Sequence, residues 1–242
     1  MTGTPPLEPL PDGYNETRES LQRLASYALA PACKAAASRI GLRATPGAFG
    51  TPVFGADEQL WVERATLFHR RGDEIETADI TSIAAAATFA GVTLSDDPGI
   101  GDSPPPLGDP DAPLTVVPAA TGAIGTWFDF STALLEEFRT ELINAGRECS
   151  KVQLWPEHFD LGCDTEGVNL GASPGDGYLA DPYVYVGPWN TDGLPDGDFW
   201  NAPFGAVLAY KELLSAADPR ATALEFLRRG TGLALQRAGE KP

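Results

Sequence analysis

Histidine, methionine, cysteine and basic residues are all scarce in this chain of 242 residues. There are two, one, three and 17 of them, the last against 34 acids. Two distant histidines, His69 and His158, cannot build a histidine-rich zinc site. Cys33, Cys149 and Cys163 are odd in number and form no CxxC pair, which argues against structural zinc and against a secreted disulfide framework. They fit reduced thiols of a cytoplasmic protein. The shortage of base leaves a net charge of −17 with no basic stripe to offset it, so phosphate backbones and anionic lipid surfaces are repelled. Nucleic acid and membrane are therefore excluded as partners, and the acid excess reads as a solvated surface. Long apolar runs are also missing: the longest weakly polar stretch, Ile83 to Leu94, is too short for a bilayer core of roughly 30 Å. Met1 to Gly13 has four prolines, no base and no apolar segment of the signal-peptide kind, so it is expected to be a loose arm.

What is present suffices for a core. At 43% apolar residues the chain can fold without disulfide or metal staples, as one large domain or two small ones. Leu21, Leu24, Ala25, Ala28, Leu29 and Ala32 recur at helical spacing and predict a helix from Arg18 to Arg39 that Pro31 should kink or divide. Gln59 to Ile80 reads as a hairpin turning at Gly72 and Asp73, and Thr81 to Ala90 as a short helix stopped by Gly91. Ser95 to Pro113 holds six prolines, five aspartates and no base, which predicts a linker or mobile loop over 95–126 between halves at 14–94 and 127–238. Ser131 to Ala145 predicts a helix capped by Ser131. Strand-like pieces follow at Val152 to Trp155, Val168 to Gly171 and Pro182 to Trp189, and Asp218-Pro219 opens a last helix. Short strands in runs, flanked by helices without a βαβ rhythm, predict an α+β fold, mainly antiparallel with helices packed on one side. An echo of L-x-A-[ST]-P-G at Leu42–Gly47 and Leu170–Gly175 raises the idea of two similar halves, although shared turn chemistry explains it equally well.

Val152 to Tyr210 stands apart. It carries ten of the 22 aromatic residues and nine acids, with no Lys or Arg. Pro188-Trp189-Asn190 and Phe199-Trp200-Asn201 could wall a pocket with amide handles, the alternative being a packed core whose indole N–H groups meet carbonyls. In the last of the three strand pieces Tyr183, Tyr185 and Trp189 fall on one pleat face, with Val184 and Val186 on the other. Gly171-Ala172-Ser173-Pro174-Gly175 spells the serine-hydrolase elbow, but Pro174 has no N–H for an oxyanion hole and no histidine follows. A Ser-Pro-Gly turn is the better reading. His158 and Asp160 would share a face if their segment is extended, a pair suited to proton transfer; the competing reading is a buried, hydrogen-bonded structural histidine. Asp160, Asp164, Asp176 and Asp181 match no calcium-loop spacing and read as turn residues, so no metal is expected. No cofactor motif is complete, and no cofactor is expected.

Gln153-Leu154-Trp155-Pro156-Glu157-His158-Phe159-Asp160-Leu161, then Ser173-Pro174-Gly175-Asp176, then Pro182-Tyr183-Val184-Tyr185 and Phe204-Gly205-Ala206-Val207-Leu208-Ala209-Tyr210 resemble a bacterial domain family of unknown function, whose members carry W-P-H-H-F-D-L, S-P-G-D and P-Y-x-Y blocks in this order. The resemblance spans roughly residues 130 to 235 and implies that Trp155, His158, Phe159, Asp160, Ser173, Asp176, Tyr183 and Tyr185 matter. Glu157 stands where many members have histidine, which weakens any two-histidine mechanism.

The sequence thus predicts small-molecule binding in an aromatic, acidic pocket, through Trp155, Ser173, Asp176, Tyr183, Tyr185, Trp189, Trp200 and Asn201. The alternatives are an enzyme using His158 and Asp160, or a protein-interaction module displaying Trp189 and Trp200.

Overall fold

A computed structural model describes residues 6–101, 103–192, 194 and 199–239. The fold is α+β, with antiparallel sheets and helices, as the run of short strands predicted. Two compact units divide the chain. The N-terminal unit is Glu8–Asp129 with Gln153–Asp160, and the C-terminal unit is Phe130–Val152 with Leu161–Pro242 and Met1–Leu7.

In the N-terminal unit, helix α1 (Tyr14–Leu24) runs through a π-helical segment at Ala25–Leu29 into α2 (Ala30–Ala37). The predicted apolar face is buried, but Pro31 does not break the helix. The Ala30 N–H bonds the Ala25 carbonyl, a wider i to i−5 turn just ahead of the proline, where a ring would otherwise crowd the carbonyl four residues back. Strands β1 (Arg43–Thr45), β2 (Ala48–Gly50), β3 (Glu58–Glu63), β4 (Thr66–Arg71) and β5 (Glu74–Asp79) follow as an antiparallel meander in chain order. The single predicted hairpin is therefore two, and Gly72 turns the second with φ 59°. Helix α3 (Ile83–Ala90) starts on Ser82, whose hydroxyl accepts from the Ala85 N–H, and ends on Gly91.

The stretch predicted as a linker is fastened down. Tyr27 Oη donates to the Pro105 carbonyl at 2.7 Å, Arg23 Nη2 donates to the Leu107 carbonyl at 2.5 Å, and Ile100 is buried. Side chains of α1 and its π segment thus hold backbone that could not bury enough of itself. Helix α4 (Pro118–Asn144) begins inside that stretch, so Ser131 lies within a helix and caps nothing. The two units divide within α4, at Asp129, and not at the prolines.

The C-terminal unit is built on strands β7 (Asp160–Thr165), β8 (Val168–Ser173), β9 (Tyr183–Pro188) and β10 (Ala206–Ala209), adjacent in that order; β6 (Gln153–Trp155) groups with the N-terminal unit, where Leu154 pairs with Leu42. Register places Leu170 opposite Val186, Ala172 opposite Val184, and Leu208 also opposite Val184, which makes one continuous apolar face. Helices α5 (Tyr210–Ser215) and α6 (Pro219–Gly239) follow, and α6 covers that face. A Cβ at Gly230 would lie 2.8 Å from Val186 Cγ2, so only glycine lets α6 approach this closely. Asp218 caps α6 as predicted, accepting from the Ala221 N–H at 3.0 Å. The helix is tied to α4 by a two-pronged Arg228–Glu141 pair at 2.8 and 2.5 Å.

Candidate functional site

The other face of this sheet collects the rings. Tyr185 pairs with Gly171 on one side and Val207 on the other, and Tyr183 pairs with Ser173 and Ala209. A Cβ at Gly171 would collide with the Tyr185 phenol, so that ring lies across the bare glycine. Tyr178 and Phe204, which were not among the residues expected to bind a ligand, complete a cluster. Ring centroids are 5.2 Å apart for Tyr178–Phe204, 6.1 Å for Tyr183–Tyr185, and 6.3 Å for both Tyr178–Tyr183 and Tyr185–Phe204. At the far end Trp189 donates its indole N–H to Asn169 Oδ1 at 2.8 Å, and Asn169 projects from the same face as Tyr185. Trp189 is 69% exposed and Tyr178 46%, with Tyr185 and Phe204 half-buried.

Loop chemistry supports the cluster from below. Asp176 accepts from the Tyr178 and Leu179 N–H groups at 2.8 and 3.0 Å through Oδ1, and from Tyr183 Oη at 2.6 Å through Oδ2. One carboxylate therefore both turns the loop and anchors a ring, and aspartate fits because its two oxygens serve the two tasks. Ser173 is 2% exposed, and its hydroxyl accepts from the Gly175 N–H at 3.1 Å. Gly175 sits at φ 103°, where a side chain would strike the Ala180 carbonyl. The serine is a turn residue, as the missing N–H of Pro174 implied. Gly47 also has positive φ, 95°, so the two Pro-Gly echoes share a turn conformation.

Several predicted ligand contacts are spent internally. Ser173 and Tyr183 are buried. Asn201 does not offer its amide to a ligand: it donates to the Val207 carbonyl at 3.0 Å and accepts from the Val207 N–H at 2.8 Å, occupying the hydrogen-bonding edge of β10. Trp200 packs edge-on against Phe199, itself 5.3 Å from Phe226 and under the Arg229 guanidinium at 4.7 Å. The rings form an open face. A cleft of about 200 Å³ in this unit is lined by Glu166, Val168, Pro188, Asn190 and Arg237, with no cluster ring among its walls.

His158, Asp160 and Trp155 group with the N-terminal unit. The extended segment that would align His158 with Asp160 is absent, because Pro156–Phe159 is a turn and Phe159 takes φ 58°. His158 is exposed while Asp160 is only 8% exposed, so the alternation argument fails, and so does the expectation of a buried histidine. The buried residues are the neighbours expected on the opposite face. Phe159 lies edge-on to Phe49 and Phe128 at 4.9 and 5.4 Å, and Glu157 is buried beside Gly101. Ser26 Oγ and Gln22 Nε2 donate to the Pro156 and Glu157 carbonyls at 3.0 and 2.7 Å, which seats the turn on α1 and its π segment. The tryptophan-to-aspartate block is thus a plug in a core.

A histidine–carboxylate contact exists elsewhere. His69, 2% exposed, lies with Nε2 3.2 Å from Glu58 Oε2 across the β3–β4 hairpin, and Arg71 also reaches Glu58 at 3.7 Å. Hairpin register was the signal for it, since strands turning at Arg64 bring residues 58 and 69 close. Among the described residues no three His, Cys, Asp or Glu side chains gather as a metal would need, and no helix is long and apolar enough to cross a membrane.

No protein-family model, no curated protein and no solved structure matches this chain. The functional reading therefore rests on the residues themselves.

Proposed function

We propose that the chain is a binding protein whose recognition surface is the open face of the β7–β10 sheet, and that its ligand is a cationic, amine-bearing small molecule. The observation that carries this is exposed ring faces in a segment that carries nine acids and no base of its own. Trp189 and Tyr178 stand out from the face, Asp164 and Asp181 flank it, and 152–210 contain no Lys or Arg. A ring face attracts an ammonium or guanidinium group by roughly 0.5 to 2 kcal/mol, and the surrounding carboxylates add long-range attraction. Phosphorylated or carboxylated ligands meet repulsion instead. A cytoplasmic location and membership of the bacterial family belong to the same proposal, supported by the unpaired state of the three thiols and by the interlocking of Ser173, Asp176 and Tyr183.

The exposure of Trp189 also favours a second reading, a protein-interaction module, since an exposed ring suits a flat partner surface. Proton transfer by His158 and Asp160 draws no support from the turn that separates their environments.

A thermal-shift screen of amines and guanidines against phosphorylated and carboxylated compounds tests the proposal. Amines are expected to raise Tm, and Trp189→Ala to reduce the gain. Stabilisation by anions but not by amines would overturn it.

A further inference from the structure

We propose that Cys149 and Cys163 form a reversible dithiol–disulfide site within the C-terminal unit. The two thiols are 14 positions apart in sequence, and their sulfurs lie 3.9 Å apart. Cys163 is a β7 residue whose side chain is buried, and Cys149 is half-buried in the connection that follows α4.

The backbone around Cys149 is fastened to the residues next to Cys163. Thr165 Oγ1 donates to the Glu148 carbonyl at 2.6 Å, the Asp164 N–H donates to Ser150 Oγ at 2.9 Å, and the Ser150 N–H donates to the Asp164 carbonyl at 2.9 Å. Arg139 Nε donates to the Ser150 carbonyl at 2.8 Å, which holds its guanidinium near Cys149. Three of these hydrogen bonds tie the backbone beside Cys149 to that beside Cys163, and in this proposal side-chain rotation closes the 3.9 Å between the sulfurs to the roughly 2.05 Å of a disulfide.

The two thiols are chemically unequal. The Cys163 S–H can donate to a Cys149 thiolate, and Arg139 adds positive charge, so the Cys149 thiol is pushed down despite its partial burial. The same contact, with burial, pushes Cys163 up. Cys149 is therefore the attacking sulfur and Cys163 the resolving one.

The oxidant is a hydroperoxide. The Cys149 thiolate takes the terminal oxygen, the O–O bond breaks, and hydroxide or alkoxide leaves with a proton from solvent. Cys163 sulfur then attacks the sulfenic sulfur, the S–O bond breaks, water departs with the Cys163 proton, and the S–S bond forms. Two thiols are oxidised by two electrons and the peroxide is reduced by two. A dithiol reductant reverses the step by exchange. Between the two cysteines the chain passes through Gln153–Asp160, which groups with the other unit, so the cross-link joins the chain where it leaves this unit and where it returns. Cys33 is fully buried in the N-terminal unit, where burial pushes its thiol up, and takes no part.

The test is mild oxidation of the full chain with hydrogen peroxide, followed by tryptic digestion without reductant. Arg147 and Lys151 bracket Cys149, and the next basic residue is Lys211. The expected product is the peptide Glu148–Lys151 joined to Val152–Lys211, two hydrogens lighter than the free pair and released by dithiothreitol. Cys33→Ser should give the same product, and Cys149→Ser and Cys163→Ser should not. Alkylation of Cys149 should outpace that of Cys33 at neutral pH, and Cys163→Ser should shift its pH profile upward. Accumulation of sulfinic acid on Cys149 with Cys163 still a free thiol, or a cross-link between two chains, would overturn the proposal. If Cys163→Ser fails to fold, the wild-type digest still decides.

Discussion

The two sheets solve the same problem with opposite chemistry. The β1–β5 meander carries both signs of charge and pairs them: Arg70 with Asp57 at 3.0 Å, and Arg71 with Glu58 and Glu76. Its edge strand β5 is almost wholly exposed and charged, which discourages pairing with another chain. The β7–β10 sheet blocks an edge with the Asn201 amide, fixes its loop with Asp176, pairs Glu166 of the β7–β8 turn with Arg147 at 2.7 Å, and sets its rings beside Asp164 and Asp181 in a segment with no Lys or Arg of its own. A surface whose charges are already neutralised in place has little left for a ligand. One whose rings stand beside acids of a segment without its own bases can take cations from outside, and this contrast separates scaffold from recognition surface.

The contrast breaks first in the N-terminal core. Phe159→Ala removes a ring from the Phe49–Phe128 contact and should destabilise the protein by about 3 to 5 kcal/mol in urea unfolding. Replacing its exposed neighbour, His158→Gln, should cost less than about 0.5 kcal/mol. Next comes the loop beneath the rings. Asp176→Ala removes the acceptor of the Tyr183 Oη bond and of two backbone N–H groups and should cost about 2 to 3 kcal/mol, with the tyrosine fluorescence of the folded state altered.

Trp189→Ala should leave stability within about 0.5 kcal/mol, because the indole is mostly in water, while weakening amine binding by roughly 0.5 to 2 kcal/mol. A large loss of stability without loss of binding would make Trp189 scaffold and reverse the comparison. The smallest effect belongs to Glu141, whose carboxyl the Arg228 hydrogen bond holds below its ordinary value. A depressed folded pKa means that its contribution is present above the unfolded value, roughly 4.3, and is lost as pH falls through the folded one. Both side chains are more than a third exposed, so this is worth less than about 1 kcal/mol. Glu141→Gln should flatten the acid limb of a Tm–pH curve by that amount.

Local chemistry was legible in the sequence and long-range burial was not. The Asp218 cap, the Gly72 turn, the buried stripe of α1 and the failure of the serine elbow each depend on a few adjacent residues, and each was readable. The first turns of α4 were missed because Pro118–Gly125 has small residues in place of an apolar stripe. There a Cβ at Gly125 would lie 2.7 Å from the Gly47 carbonyl, a closeness that only the folded unit reveals. The pairing of His158 with Asp160 failed because Phe159 adopts a left-handed backbone that its ring's burial offsets, and alternation rules assume extended chain. The strand pattern did place Tyr183 and Tyr185 on one face and the valines on the other. Which rings would join them depended on register, since Phe204 and Tyr178 arrive from loops.

The most direct measurement is a titration of the 15N-labelled full chain with a simple amine series, followed through the indole N–H resonances. Trp189 should shift progressively with amine while the buried Trp127 stays fixed, and carboxylate analogues should move neither. Amines that leave Trp189 unmoved, or carboxylates that shift it, would contradict the assignment of this sheet face as a cation-binding surface.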